Sequence, residues 1–246
     1  MTPNQPLGWV HEIFTSIQGE GLYCGQRQTF ARLAGCNLSC DYCDTASSRE
    51  PRPSVGRVEH QPGSGRFEEF ANPIAVDDVV SLCGTLGASV VSLTGGEPLA
   101  QPDFLAALAP ALKLSGFTVY LETNGTLHEE LARVISFIDV VAMDIKLPGA
   151  SGQLDLWEAH WAFLRVARET EVFVKVVVDN ETSDKEIRRC SELIAGVSAR
   201  TPLVIQPVSG ERSPSGHALM RMQSLALETL RDVRVIPQCH KALELL

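Results

Sequence analysis

Three of the seven cysteines, Cys36, Cys40 and Cys43, stand within eight residues in a C-x3-C-x2-C pattern. Three thiolates on one tight loop suit three irons of a [4Fe–4S] cluster, which usually takes four protein thiolates. With three, one iron keeps an open position, as a catalytic zinc site does. A structural zinc is the competing reading. It needs a fourth Cys or His, and the nearest downstream histidine is His60, in an irregular stretch. Of the other cysteines, Cys24 lies in a Gly-rich loop, and Cys83 and Cys190 fall in helical patterns and are expected to be buried. Cys239 lies near the tail. The odd count argues against a disulfide framework.

The chain of 246 residues carries 21 basic and 30 acidic side chains, a net charge of −9, with 44% apolar and 21% charged residues. That composition excludes collagenous, coiled-coil and largely disordered chains. An acidic chain is a poor general binder of nucleic acid, although a locally basic pocket can hold a small anion. No apolar run approaches the roughly 18–20 residues that span a bilayer. The opening MTPNQPLGWVHEIF lacks the pattern of a signal peptide. A cytoplasmic protein without membrane or nucleic-acid partners is expected.

Apolar β-rich runs alternate with helical patterns, so βα units around a parallel sheet must position the cysteines. Gln28–Leu33 reads as a first strand leading into the cluster. Further strands are read at Ser89–Leu93, Thr118–Glu122, Val140–Met143, Val172–Val178 and Leu203–Ile205, with a short last one at Val233–Ile236. Helices are read at Val76–Leu86, Asp103–Leu114, Glu129–Ile135, Leu154–Glu169, Asp184–Ile194 and His217–Leu230. About six principal strands in this length suggest a partial, open TIM-like barrel of parallel strands with outer helices. A single domain over 1–246 is expected, with an insertion at 46–75. Within it a hairpin is read: Val55–Glu59, a Gly63-Ser64-Gly65 turn, then Arg66–Asn72. His11, His128, His160 and His217 read as surface or half-buried residues.

The cysteine pattern after a first strand, with Gly95-Gly96-Glu97-Pro98 after a second, resembles the radical S-adenosylmethionine (SAM) superfamily. Its cofactors carry the chemistry, and the protein positions and shields it. Within it, Thr15-Ser16-Ile17-Gln18-Gly19-Glu20-Gly21, Phe30-Ala31-Arg32-Leu33-Ala34-Gly35-Cys36 and Cys43-Asp44-Thr45 resemble the 7-carboxy-7-deazaguanine synthase family. The similarity reaches the tail, Pro237-Gln238-Cys239-His240-Lys241, and spans nearly the whole chain outside 46–75.

The resemblance implies a reaction: a Mg2+-dependent radical ring contraction of 6-carboxy-5,6,7,8-tetrahydropterin to 7-carboxy-7-deazaguanine with loss of ammonia. It also implies roles. Cys36, Cys40 and Cys43 would hold the cluster, and the Thr45 hydroxyl would meet Mg2+, a hard cation suited to oxygen. Ile17, Gln18, Gly19 and Glu20 would read the pterin edge, and Arg32 would take the substrate carboxylate as a bidentate partner. Thr94, His240 and the C-terminal Leu246 would complete the substrate pocket. Gly96, Glu97, Asp144-Ile145-Lys146 and Gln206-Pro207-Val208-Ser209 would form the SAM site. Glu122 and Asn124 read equally as ribose contacts or turn formers. A flavodoxin- or ferredoxin-type reductant and a homodimer are the family expectation. A glycyl-radical activase of the same superfamily and a non-catalytic iron–sulfur or zinc module are the alternatives.

Overall fold

The strands alternate in what they bury. In Val172–Val178, even-numbered valines and the odd-numbered Phe173 and Lys175 must face opposite sides of a sheet. The computed structural model describes residues 6–153 and 155–245 and bears this alternation out in β10 and its parallel neighbours. The chain opens with β1 (Leu7–Gly8), β2 (Val10–Ile17) and β3 (Arg27–Leu33). Next come a hairpin of β4 (Val55–Glu59) and β5 (Phe67–Ala71), then the short β6 (Ile74–Ala75). From there α1 (Val76–Thr85), β7 (Val90–Gly95), α2 (Pro102–Leu114), β8 (Thr118–Thr123), α3 (His128–Ala132) and β9 (Val140–Ile145) follow. The rest is α4 (Pro148–Ser151), α5 (Trp157–Ala167), β10 (Glu171–Val178), α6 (Asp184–Ser198), β11 (Leu203–Pro207), α7 (Gly216–Leu227), β12 (Val233–Val235) and α8 (Cys239–Ala242).

Among the described residues, ten strands form one sheet in the order β12-β11-β10-β9-β8-β7-β3-β2-β4-β5, while β1 and β6 pair separately. Strands β3 and β7 to β12 run parallel and in chain order. Their C-terminal ends therefore lie along one rim. The two outermost strands, β12 and β5, do not pair with each other, so the barrel is open as expected.

The sheet's helix-facing side carries Leu93, Leu121, Met143, Val176 and Ile205, all in the main core. Its other side carries Val90, Tyr120, Val140, Phe173 and Val204 at the strand beginnings. Thr94, Glu122, Asp144, Lys175 and Gln206 continue those same rows toward the C-terminal ends, as residues two further along share a face.

One strand reading needs correction, and one holds. The first long strand is β2, not Gln28–Leu33. Its buried Glu12, Thr15 and Ser16 hide the strand from a hydrophobicity pattern. A bulge between Val10 and Glu12 re-phases it, sending Val10 into the core and Glu12 to the opposite side. The hairpin in 46–75 has its expected bounds within a residue, and Gly63 and Gly65 take positive φ in its turn. Its strand β4 pairs in parallel with β2 and lengthens the sheet.

Helix α6 starts with a full capping box. Ser183 Oγ accepts from Glu186 N–H at 3.3 Å, and Glu186 Oε2 accepts from Ser183 N–H at 3.0 Å. Ser183→Ala is expected to cost about 1 kcal/mol in a denaturant melt. The helix packs its buried face, Ile187, Cys190 and Ile194, into the main core on the side of the sheet opposite the inner polar row, and Ser183 does not line the cleft, so ligand binding should be unchanged.

Candidate active site

The cysteine loop leaves the end of β3 and is held by backbone contacts. Gly96 N–H donates to Leu33 O at 3.1 Å, Glu97 N–H to Gly35 O at 2.8 Å, and Gly35 N–H to Ser48 O at 2.8 Å. A Cβ on Gly96 would sit 2.1 Å from Gly35 O and 3.0 Å from Cys36 Cβ, so the loop after β7 must be glycine to touch the cysteine loop. Side chains add three ties: Asn37 Nδ2 donates to Thr126 Oγ1, Asn124 Nδ2 to Asn37 Oδ1, and Gln153 Nε2 to Ser39 O.

Cys36, Cys40 and Cys43 are free, half-buried thiols lining one cleft of about 950 Å3 at the polar rim. Leu38 N–H donates to Cys36 Sγ at 3.4 Å. Burial pushes the Cys36 and Cys40 thiols up, while the Lys146 charge pulls both down. A coordinating metal ion deprotonates such thiols outright.

The opposite wall starts at the end of β2. Gln18 Nε2 donates to Glu122 Oε1 at 2.7 Å, and Gln18 Oε1 accepts from Glu20 N–H at 3.1 Å. Glu122 Oε2 accepts from Thr94 Oγ1 at 2.7 Å. Glu20 accepts from Gln206 Nε2 at 3.0 Å and Gln238 Nε2 at 2.9 Å on one oxygen, and binds Lys175 with the other. Lys175 also lies 3.2 Å from Asp144, which Lys146 meets at 3.0 Å. Burial alone would raise the Glu20 carboxyl. The Lys175 ammonium outweighs it and holds Glu20 down at about 2.

Most of the residues singled out from sequence converge here. Ile17, Gln18, Gly19, Glu20, Arg32, Thr45, Thr94, Gly96, Asp144, Lys146, Gln206, Val208, Ser209 and His240 line the same cleft as the cysteines. Ile145 and Pro207 are buried strand residues behind it. Glu97 also departs from its expected place. It is fully buried, and both its oxygens are occupied: Leu99 N–H at 3.1 Å and Thr123 Oγ1 at 2.9 Å on one, Asn124 N–H at 2.7 Å on the other. Burial pushes its carboxyl up to about 7. Glu97 thus braces the ends of β7 and β8 against each other. Leu246 lies outside the described residues, although its neighbour Leu245 lines the cleft.

Thr45 precedes a short 3-10 helix but makes no capping bond with its side chain, which leaves the hydroxyl for the cleft. The tail helix α8 packs on the loop after β2 through Cys239 N–H to Gly19 O at 2.8 Å. His160 proves fully buried rather than half-exposed. Its Nε2 accepts from Lys146 N–H at 3.2 Å and its Nδ1 donates to Gly125 O at 3.0 Å, so the ring is neutral, and burial lowers its pKa to about 4. Sequence reasoning missed Lys175 and Glu12. Each is a charge in a strand whose partners are remote in the chain.

The donors fit an iron–sulfur cluster with a polar ligand beside it. Asp144 Oδ1, Gln206 Oε1 and Tyr42 Oη are buried acceptors or donors without a hydrogen-bond partner among the described residues, and all three residues line the cleft. Orphaned polar atoms of this kind call for a ligand.

Residues 32–170 match the family model of the radical SAM superfamily. The 7-carboxy-7-deazaguanine synthase of Geobacter sulfurreducens is 42% identical to this chain, over 97% of it and 98% of that protein. The chain belongs to the 7-carboxy-7-deazaguanine synthase family of the radical SAM superfamily. The 7-carboxy-7-deazaguanine synthase of Methanopyrus kandleri is 36% identical, over 96% of this chain and 93% of that protein. The crystal structure of QueE from Escherichia coli shares the fold with a TM-score of 0.63, at 20% identity over 95% of this chain and 94% of that one. Membership in the radical SAM superfamily implies a [4Fe–4S] cluster and SAM. Among the described residues, no helix is long and apolar enough to cross a membrane.

Replacing Lys175 by Met leaves the half-buried Glu20 and the buried Asp144 beside one fewer cation. The expected cost is about 3–5 kcal/mol at neutral pH. The sign follows from Glu20. Its folded pKa of about 2 lies below the ordinary 4.5, so its stabilisation is complete above pH 4.5 and is lost as pH falls toward 2. The gap between the wild type and Lys175→Met should therefore shrink across that window in urea melts of the apoprotein.

Proposed function

We propose that this chain catalyses the Mg2+-dependent ring contraction of 6-carboxy-5,6,7,8-tetrahydropterin to 7-carboxy-7-deazaguanine, with release of ammonia. The carrying observation is the convergence, in one cleft, of the cysteine loop, a partly free guanidinium and a paired acceptor and amide. Cys36, Cys40 and Cys43 would hold the cluster, which together with SAM would supply the radical chemistry of the reaction.

The protein's own groups hold the substrate for that step. Glu20, ionised by Lys175, accepts from the amino and ring N–H groups of the pterin edge. Gln18 is held by Glu122, and its side chain together with the backbone of Ile17 and Gly19 completes the edge. Arg32 donates Nε to Glu12 at 2.8 Å and keeps its Nη end for the substrate carboxylate. Thr94 and His240 close the substrate pocket, with Leu246 carried by the family resemblance. Thr45 offers its hydroxyl to Mg2+. Gly96, Asp144, Lys146, Gln206, Val208 and Ser209 line the SAM side. The same reading takes a single radical SAM domain with an insertion at 46–75, a cytoplasmic homodimer and a flavodoxin- or ferredoxin-type reductant.

Anaerobic reconstitution with iron and sulfide, followed by incubation with SAM, Mg2+, reductant and the carboxytetrahydropterin, tests the proposal. Product formation supports it. Accumulation of 5′-deoxyadenosine without ring-contracted product overturns it in favour of another radical SAM activity, such as a glycyl-radical activase.

Arg32→Ala should raise the substrate KM roughly tenfold to a hundredfold, since a charge-assisted hydrogen bond is worth about 1.5–3 kcal/mol. Iron content should be unaffected, and its loss would make Arg32 a structural residue. Thr45→Ala should abolish the stimulation by Mg2+ in the same assay, and unchanged stimulation would remove Thr45 from the metal site.

A further inference from the structure

The hairpin within 46–75 has no part in the roles above, yet it puts a cation into the cleft. In the sheet, Arg32 pairs with Thr94 on one side and Glu12 on the other, and Glu12 pairs with Arg57 of β4. Thr94, Arg32, Glu12 and Arg57 thus stand in one row across four neighbouring strands, and all four line the cleft. The neighbouring Gly56 allows this. A Cβ there would lie 2.4 Å from Val10 O, so a larger residue would push β4 away from β2.

Glu12 is buried between the two arginines. Its Oε1 accepts from Arg32 Nε at 2.8 Å, and its Oε2 accepts from Arg57 Nε at 2.9 Å and from Arg57 Nη2. Burial favours the neutral acid, but the two guanidiniums prevail and keep the carboxyl below its ordinary range. Two cations against one anion leave a surplus positive charge at this spot. Both Nη of Arg32 and Nη1 of Arg57 lack a hydrogen-bond partner among the described residues. Burial lowers the pKa of the adjoining His11, which favours its neutral ring.

We propose that Arg57 is a specificity-determining residue that joins Arg32 in seating the substrate's carboxylate, with Glu12 setting the two guanidiniums side by side. This rests on the pterin reading above. A carboxylate offers two oxygens with about four acceptor sites, which suits one fork from Arg32 and a further N–H from Arg57. The consequence is selection of the carboxylated pterin over the same ring without its carboxylate. Glu12 remains paired with Arg32 when Arg57 is removed, so the fold does not require Arg57 as a counter-ion.

The test uses reconstituted holoenzyme, comparing wild type, Arg57→Gln and Arg57→Lys. Two quantities are measured: KM for 6-carboxytetrahydropterin, and the inhibition constant of tetrahydropterin lacking the 6-carboxylate. Arg57→Gln should raise the first about tenfold and leave the second unchanged, which lowers the selectivity about tenfold. Arg57→Lys keeps the charge and loses the fork, so it should recover part of the selectivity. An unchanged selectivity ratio in Arg57→Gln, or an equal loss for both ligands, overturns the inference. If Arg57→Gln loses its cluster or fold, wild-type selectivity in Arg57→Lys overturns it. A wild type that forms no product overturns the functional reading and this inference with it. Product from the wild type with unchanged Arg57→Gln selectivity overturns this inference alone.

Discussion

One largely buried ammonium joins the loop after β2 to the strand ends in the middle of the sheet. Lys175 rises from the middle of β10 and meets Glu20, from the loop after β2, and Asp144, from the end of β9. A charge taken out of water is tolerated when it is paired and hydrogen-bonded. Here two acids, Glu20 and Asp144, are balanced by two bases, Lys146 and Lys175. Glu20 receives two further amide bonds, from Gln206 and Gln238. Well-packed apolar residues would stabilise such a site as well or better, so a buried charge network is a weak device for stability alone. Its geometric effect is specific. It pins the loop after β2, the strand ends and the tail around one point, leaving Glu20 as a fixed anion lining the cleft.

The strand alternation makes that arrangement compatible with a core. Each parallel strand gives one set of residues to the helices and the other to the inner side. The inner set turns from apolar to polar along the strand, from Tyr120 to Glu122, from Val140 to Asp144, from Phe173 to Lys175 and from Val204 to Gln206. All these strands run the same way, so the change from apolar to polar falls at one rim. Glu97 then locks two of those ends together. Its three donors come from the turn after β7 and the end of β8, and both its oxygens are engaged by the protein. The Gly-Gly-Glu-Pro segment thus serves the site through Gly96, which touches the cysteine loop, and through a brace behind it.

What was legible in the sequence follows from range. The parallel strands and helices depend on local periodicity, and their residue types declare them. The hairpin was readable from its glycine turn, and the cysteine loop from the spacing of three thiols. Strand β2 was not, because Glu12, Thr15 and Ser16 are buried polar residues and break the pattern that marks a strand. Lys175 was not, because one lysine among valines looks like a solvent-facing residue. Its partner Glu20 is 155 residues away in the chain. His160 similarly looked like an ordinary helix residue, although its ring ties the loop at Lys146 to Gly125.

The charge of the cleft shows why net charge and local field are different quantities. The chain carries −9 overall, yet the row across β3, β2 and β4 holds two guanidiniums on one carboxylate. Surface charges are damped by salt over about 8–10 Å, so distant acidic residues contribute little inside a half-enclosed cleft. The local surplus is set by strand register. Glu12 stands opposite Arg32 in one pairing and Arg57 in the next, and the bulge near Val10 sets which way Glu12 faces. A one-residue slip of β4 would turn Arg57 to the other side of the sheet and leave Glu12 with one cation. Backbone pairing, helped by Gly56, therefore determines the electrostatics of this side of the cleft, which no local run of basic residues reveals.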